Sequence, residues 1–206
     1  MSKTSLWRLL ILLAILSVVI TLNIVKYSST PDTKTGLSTT GGDVFDVLIE
    51  TPLYRQHDDL WATTSLGGTD DTISSHGCTV CSTAMSLSAH GYKITPLELN
   101  NELISHQGFT ENALLIWSAI SSVTDGKFSV IVEDSPSHED IDQQLKLGNP
   151  VIAKVLYKNV IFHWVLITGK NSEGYIIQDP LSKRGSNIDM SDYESGIFTI
   201  RFLKVN

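Results

Sequence analysis

The hydrophobic residues of this 206-residue chain change their spacing near residue 127, and this change limits the fold more than any other feature. Before it, apolar residues recur at helical spacing over 79–90, after Pro96 and over 112–123. After it, β-branched and aromatic residues form short runs between polar turns, at 127–133, 150–157, 162–169, 175–178 and 197–205. This pattern predicts an α+β domain whose last four strands form an antiparallel sheet.

Several helix ends are marked by the residues that usually cap helices. Gly91 ends the first helix, and Thr95 begins a capping box with Glu98 and with Pro96 at the first helical position. A further short helix is predicted from Ser137 to Gly148, between the first two strand runs.

The N-terminus contains an uncharged apolar run of 17 residues, from Leu9 to Val25, between Arg8 and Lys26. A bilayer span takes about 17–25 residues, whereas the core of a cleaved signal peptide takes about 7–15. Residues 1–26 are therefore predicted to be a signal-anchor or a cleaved signal. The basic residues before the run favour a cytoplasmic N-terminus. We expect a single-pass membrane protein with an extracytoplasmic domain, or a secreted protein if the segment is cleaved.

Residues 27–42 are rich in Ser, Thr and Gly and predict a flexible linker, followed by a domain over 43–206. This domain has eleven basic and twenty-one acidic residues, a formal net charge of −10. Such a charge disfavours binding to nucleic acid and to anionic membrane surfaces. We therefore expect no nucleic-acid partner, and contact with a membrane only through the N-terminal helix.

Four side chains of the domain stand where they could take part in acyl-transfer chemistry. Cys78 opens a helix, where the helix dipole and unpaired N–H groups favour a thiolate. His163 lies in an apolar strand, where an imidazole needs a partner. Asp179 ends the next strand, and neighbouring strands lie about 4.8 Å apart, so its carboxylate could orient that imidazole. Gln56 could donate its amide to an oxyanion beside the N–H of Cys78.

The order of Gln56, Cys78, His163 and Asp179 resembles that of papain-like cysteine peptidases. More closely, the segment 77–91 resembles the cysteine helix of the bacteriocin-processing peptidases that cut double-glycine leaders, and of their stand-alone relatives. Further segments match the same group in the same order: 96–100, 148–151, 163–169 and 174–180.

The resemblance implies a papain-like fold and hydrolysis of a peptide or protein substrate without a cofactor or metal. It implies that Cys78 is the nucleophile, that His163 takes and returns its proton, that Asp179 orients the ring, and that Gln56 stabilises the oxyanion. Two features depart from the group: Thr79 replaces its usual Gly, and Gln56 precedes Cys78 by 22 residues, more than in transporter-fused members. We therefore do not infer double-glycine specificity from the resemblance.

Three other functions remain open. Cys78 and Cys81 form a C-x-x-C at a helix start, as in thiol–disulfide oxidoreductases, although the βαβ pattern of that class is missing. A zinc site formed by His76, His90 and the two cysteines would lack the usual second pair of ligands. A non-catalytic binding domain on the same fold would differ from a peptidase in the reactivity of Cys78.

Overall fold

The computed structural model describes residues 36–206, and in this range helices precede most of the strands. The helices are α1 (Ile73–His76), α2 (Cys78–Ala89), α3 (Pro96–Ser105), α4 (Ala119–Val123) and α5 (His138–Lys146). The strands are β1 (Val47–Leu48), β2 (Phe128–Glu133), β3 (Val151–Tyr157), β4 (Ile161–Asn171), β5 (Gly174–Gln178), β6 (Ile188–Asp189) and β7 (Thr199–Val205). A 3-10 helix, Met190–Asp192, follows β6.

The predicted signal segment 1–26 and residues 27–35 of the predicted linker lie outside the described residues. Within the described range of 36–206, no helix has the length and apolar character needed to cross a membrane.

The strands form one sheet in the order β2-β7-β3-β4-β5-β6, with β1 beside the end of β4, and every pairing is antiparallel. The predicted α+β class and antiparallel sheet are confirmed. The sheet has seven strands rather than the predicted four, because β2 pairs with β7, β1 with β4 and β6 with β5.

Helices cover both faces of this sheet. Alternate residues of a strand point to opposite faces. On β3, Ile152 packs with Met85 of α2, whereas Val151 lies in the cluster formed by Ile141 and Leu145 of α5. All five side chains are fully buried, and burial of each stabilises the fold by about 1.5–3 kcal/mol. The packing of α2 fixes this helix against the centre of the sheet.

Capping explains where most of the helices begin. The hydroxyl of Thr95 accepts from the N–H of Glu98, whose carboxylate accepts from the N–H of Thr95, and Pro96 occupies the first position of α3. The same reciprocal bonds join Ser137 and Asp140 at the start of α5. Among the described side chains none caps α2, which begins directly after Gly77. The first N–H groups of α2 are therefore left for another partner.

The predicted helix over 112–123 is wrong in its first half, since only Ala119–Val123 is helical. Ala113 has a φ of +55°, and Phe109 forms a β-bridge with Leu115. Ala113 and Leu115 are buried while Leu114 between them is exposed. Buried and exposed apolar residues thus alternate along a loop that folds back on itself. In so short an apolar run, the sequence pattern alone does not distinguish such a loop from one face of a helix.

Residues 36–43, here called the N-terminal strap, lie along the domain, although the sequence predicts a flexible linker as far as residue 42. The N–H groups of Leu37 and Ile197 each donate to the other's carbonyl oxygen, at 2.8 and 2.7 Å. At its other end, the N–H of Asp43 donates to Asp142 at 2.7 Å. The contacts of the domain therefore extend N-terminal of Asp43.

The strap needs its two adjacent glycines because it lies directly on a buried ion pair. Asp142 and Lys170 form this pair at 2.7 Å, and both are nearly inaccessible to solvent. Gly41 and Gly42 have φ angles of +132° and +73°, and a Cβ at Gly42 would overlap Asp142. In this segment glycine permits a close approach of backbone to side chain rather than flexibility.

Candidate active site

The site lies where one edge of β4 has no neighbouring strand among the described residues. β5 ends at Gln178, which lies opposite Leu166 of β4. Residues 161–165 of β4 therefore have no partner from β5 at this edge of the sheet. The N-terminal end of α2 occupies that place. Ser82 donates its hydroxyl to the carbonyl of Trp164 at 3.1 Å, and the backbone N–H of Trp164 lies near enough to Cys78 to lower the pKa of its thiol. An open strand edge thus fixes the start of α2 beside His163.

His163 and Asp179 meet as the strand register predicts. The imidazole Nε2 lies 2.7 Å from Asp179 Oδ1, and both side chains are almost fully buried. Leu181 donates its N–H to Oδ1 and Tyr193 donates its hydroxyl to Oδ2, each at 2.8 Å. Because three donors hold the carboxylate, its orientation toward the imidazole is fixed.

The remaining ring nitrogen of His163, Nδ1, is the one available to Cys78, and the two side chains are close enough for each to shift the pKa of the other. The imidazole ring is enclosed by two tyrosines. Tyr193 stacks on it with ring centroids 6.3 Å apart, and Tyr157 contacts it edge-on at 6.0 Å. These contacts restrict rotation of the ring, so both of its nitrogens stay directed at their partners.

The charges of the site favour a thiolate paired with an imidazolium. Burial raises the pKa of Cys78, but the hydrogen bond and charge of His163, together with donors from Trp164 and Thr79, outweigh it and leave this pKa below its ordinary value. Burial lowers the pKa of His163, but the hydrogen bonds to Asp179 and Cys78 and their charges raise it to about 9. Burial likewise raises the pKa of Asp179, and its donors, His163 first, bring it below its ordinary value.

Gln56 lies in the same cleft as Cys78 and is 3% exposed. Its side-chain nitrogen donates one hydrogen to the carbonyl of Ser74 at 2.6 Å, and an amide carries a second hydrogen. Its Oε1 is buried without a hydrogen-bond partner among the described residues. Its backbone N–H donates to the carbonyl of Pro180, next to Asp179. All four residues predicted from the sequence therefore lie at one place.

A cleft of about 540 Å³ runs past Cys78 and His163. Its walls are mostly apolar and aromatic, and they come from the loop before α4 and from β3 and β4: Phe109, Ala113, Leu114, Leu115, Tyr157, Ile161, Phe162 and Trp164. The loop that the sequence analysis assigned to a helix thus forms one wall of the cleft. The partly buried Cys78 thus lies at the wall of a mostly apolar cleft.

Three residues of the site escaped the sequence analysis. Tyr193 lies in a polar segment after the 3-10 helix and has no periodic signal of its own. Trp164 contributes backbone groups, which any residue type could supply. Ser82 follows Cys78 by four residues, one helical turn, and this spacing was the one available signal that it faces the same strand.

The described structure gives Cys81 a different environment from Cys78. Cys81 is fully buried within α2 and its thiol is free. Burial and the neighbouring charge of Cys78 raise its pKa well above the ordinary value. His76, offered above as a zinc ligand, lies 3.2 Å from Asp71 at the surface. Among residues 36–206 no cluster of three metal-ligating side chains occurs.

An α+β fold with a cysteine at the start of a helix, and a histidine and an aspartate on neighbouring strands, is the arrangement of papain-like cysteine peptidases. The family model described as "Peptidase_C39 like family" matches residues 48–201, and the chain belongs to this family.

Among solved structures, a C39-like peptidase from Bacillus anthracis is similar in fold, with a TM-score of 0.52 at 17% identity, over 78% of this chain and 98% of that one. A double glycine motif protease from an AMS/PCAT transporter, solved with its leader peptide, matches with a TM-score of 0.47 at 16% identity, over 79% of this chain and 97% of that one. A search of curated proteins found no match. The predicted family and papain-like fold are confirmed.

Proposed function

We propose that the domain is a cysteine peptidase in which Cys78, His163 and Asp179 hydrolyse a peptide bond. The observation that carries this proposal is the placement of His163 between Cys78 and Asp179: Nε2 lies 2.7 Å from the carboxylate, and the other ring nitrogen faces the thiol. The family gives independent support, since it is a family of peptidases. Catalysis needs no further group, because the nucleophile, base and orienting carboxylate all come from the chain.

In the first half of the reaction, the thiolate of Cys78 attacks the carbonyl carbon and forms a C–S bond. The resulting oxyanion receives hydrogen bonds from the backbone N–H of Cys78 and from the second amide hydrogen of Gln56. Protonated His163 then gives its Nδ1 proton to the departing amine as the C–N bond breaks.

In the second half, a water molecule gives a proton to His163 and attacks the thioester carbonyl. The C–S bond breaks, the peptide acid leaves, and the thiolate–imidazolium pair is restored. Asp179 stays ionised throughout, because the donors around it stabilise its charge, and it keeps Nδ1 directed at Cys78.

The proposal is tested by the alkylation rate of each cysteine against pH in the purified full-length chain, read by mass spectrometry. We expect rapid alkylation of Cys78 near pH 6, where an ordinary thiol with a pKa of about 8.5 is slow. His163→Ala removes the imidazolium, so Cys78 should then react like an ordinary thiol. Hydrolysis of a synthetic peptide library, measured in parallel, should be lost in Cys78→Ser.

Cys81→Ser is the matched control, because it changes the neighbouring thiol and leaves the Cys78–His163 contact in place. It should leave alkylation of Cys78 and peptide hydrolysis close to the parent. Coupled oxidation of both cysteines that is insensitive to His163→Ala would instead support an oxidoreductase. If Cys78 reacts only after denaturation, the domain is a binding module.

The proposal extends to location: residues 1–26 anchor the chain in a membrane with the peptidase domain outside the cytoplasm. The uncharged 17-residue run and the basic residues before it support this. We expect the intact chain in the membrane fraction after a carbonate wash, with the domain accessible to external protease in intact cells. Recovery in the soluble fraction with residues 1–26 removed would show a secreted protein, and full protection from protease would contradict the proposal.

A further inference from the structure

Lys154 brings an ammonium group into the cleft that contains Cys78 and His163. It lies on β3 directly opposite Trp164, the residue after His163. Its Nζ is 4.0 Å from the ring centroid of Phe162 and 5.9 Å from that of Trp164. Cation–π attraction to these two rings holds the ammonium over the wall of the cleft. The position of this charge relative to the nucleophile is therefore set by the pairing of β3 with β4.

The ammonium of Lys154 has no ion-pair partner among residues 36–206. Asp134 is near enough to feel its charge, but hydrogen bonds from Thr199 and Arg201 are the larger causes of the lowered pKa of Asp134. Both of these donors contact Asp134 directly, at 2.8 and 3.0 Å. Lys154 is thus a half-buried cation that has lost part of its hydration to aromatic rings and has no carboxylate within 4.0 Å in the described chain.

The other titratable side chains that line the cleft wall near Cys78 contact neighbouring side chains. His76 lies 3.2 Å from Asp71, and Nδ1 of His57 lies 2.7 Å from the hydroxyl of Ser74. Around them, the domain carries a formal net charge of −10 over residues 43–206. Charges more than about 8 Å away are largely screened at physiological ionic strength. The positive charge of Lys154, rather than the net negative charge of the domain, therefore decides which ligand charge is favoured beside it.

We infer that the cleft binds a peptide with an acidic side chain, which pairs with Lys154 while the apolar walls hold the neighbouring residues. The inference rests on the proposed function and adds to it a substrate class. A charge-assisted hydrogen bond in a partly dry cleft is stronger than an exposed ion pair. We therefore expect a Glu peptide to bind about tenfold more tightly than the matched Gln peptide.

The test measures binding apart from hydrolysis. Full-length Cys78→Ala protein, which lacks the nucleophile, is immobilised, and a library of synthetic peptides is passed over it. Retained peptides are identified by mass spectrometry and resynthesised with Gln for Glu or Asn for Asp. Retained peptides should be enriched in acidic residues, and neutral replacement should weaken binding about tenfold at low salt and less at high salt.

Variants of Lys154 in the same background show whether this residue is the cause. Lys154→Met keeps an unbranched stem over Phe162 and removes the charge, so the preference for Glu over Gln should disappear. Lys154→Glu should reverse it in favour of peptides with Lys. Lys204→Met removes the same charge from the exposed end of β7, outside the cleft, and should keep the full preference.

The inference would be overturned if no peptide were retained, or if the retained peptides were not enriched in acidic residues. It would also be overturned if Lys154→Met kept the full preference for Glu over Gln peptides. Failure of the proposed function looks different. In that case acidic peptides are retained through Lys154, but the parent protein hydrolyses none of them and its Cys78 alkylates slowly.

Discussion

At the scale of single residues, the site depends on how firmly the carboxylate of Asp179 is held. Its three donors come from β4, from the turn after Asp179 itself and from the segment after the 3-10 helix. Tyr193 is the donor that also stacks on the ring of His163. It is a positioning residue, because it acts on the reacting atoms only through Asp179 and His163.

Tyr193→Phe should lower kcat for peptide hydrolysis about tenfold and leave KM nearly unchanged. The variant keeps the stacked ring but loses a hydrogen bond to a charged group, worth about 1.5–3 kcal/mol, and each 1.36 kcal/mol is tenfold in rate. Steady-state kinetics on a peptide that the parent cleaves provide the measurement. Tyr157→Phe is the control, because Tyr157 contacts His163 only with its ring edge. Equal losses in both variants would argue against a specific role for the Tyr193 hydroxyl.

The pKa values of Cys78 and His163 set the pH range of activity. The reactive pair needs a thiolate and an imidazolium, so it exists above the lowered pKa of Cys78 and below the pKa of His163, about 9. Hydrolysis should therefore fall as the pH rises through about 9, and fall again on the acid side as the thiolate is protonated. The measurement is kcat/KM against pH; a rate that keeps rising above pH 10 would exclude this pair as the reactive form.

The sequence was sufficient to predict that Cys78, His163 and Asp179 lie together, because each stands out locally: a thiol opens a helix, an imidazole lies in an apolar strand, and a carboxylate ends the strand beside it. It was not sufficient for Tyr193 or Trp164. Their contributions depend on where the chain returns after β6 and on which side of β4 lacks a strand, and these are properties of the assembled sheet.

At the scale of elements, the five longer strands and the helices α2, α3 and α5 were predicted within a few residues, because periodicity and caps are local signals, whereas the short elements α1, β1 and β6 were not predicted. The segment 112–118 and the strap 36–43 were not, because tertiary contacts decide their conformation. Gly41 and Gly42 illustrate the difference. A pair of glycines in a Ser- and Thr-rich segment indicates a flexible chain, yet both glycines lie against α5 and the buried Asp142–Lys170 pair.

Gly42→Ala should lower the free energy of unfolding by about 1–3 kcal/mol, because it adds backbone strain at a φ of +73° and a methyl group that overlaps Asp142. Gly126→Ala is the matched control. Gly126 has a φ of +75°, but the space around it is open, so this variant carries only the strain. Chemical denaturation of both variants measures the difference. Equal losses would show that the strap does not press on the ion pair in solution.

At the scale of the whole molecule, the active-site ion pair links stability to pH. The pKa of His163 rises on folding from 6.5 to about 9, so its contribution is complete below pH 6.5 and is lost as the pH rises through about 9. The pKa of Asp179 falls on folding from 3.8, so its contribution is present above that value and is lost as the pH falls through the folded pKa. Both contributions are complete between about pH 4 and 6.5.

His163→Phe should therefore destabilise the protein more at pH 6 than at pH 9.5. At the lower pH the variant loses the ion pair with Asp179, whereas at the higher pH the parent has itself lost the imidazolium charge. The measurement is the free energy of unfolding of parent and variant at the two pH values. A difference between parent and variant that stays constant with pH would mean that folding does not raise the pKa of His163.

The strap also determines how the domain would carry a mechanical load. Tension applied at Gly36 would first act on the segment just before β7, through the backbone hydrogen bond of Gly36 with Ser195 and the two of Leu37 with Ile197. Once those bonds had broken, the load would pass to the hydrogen bond from the N–H of Asp43 to Asp142, on the α5 side of the sheet. These few bonds would break before any strand of the sheet is pulled out. A pull on the N-terminal end of the strap would thus detach the strap before it disturbed the strand that carries His163.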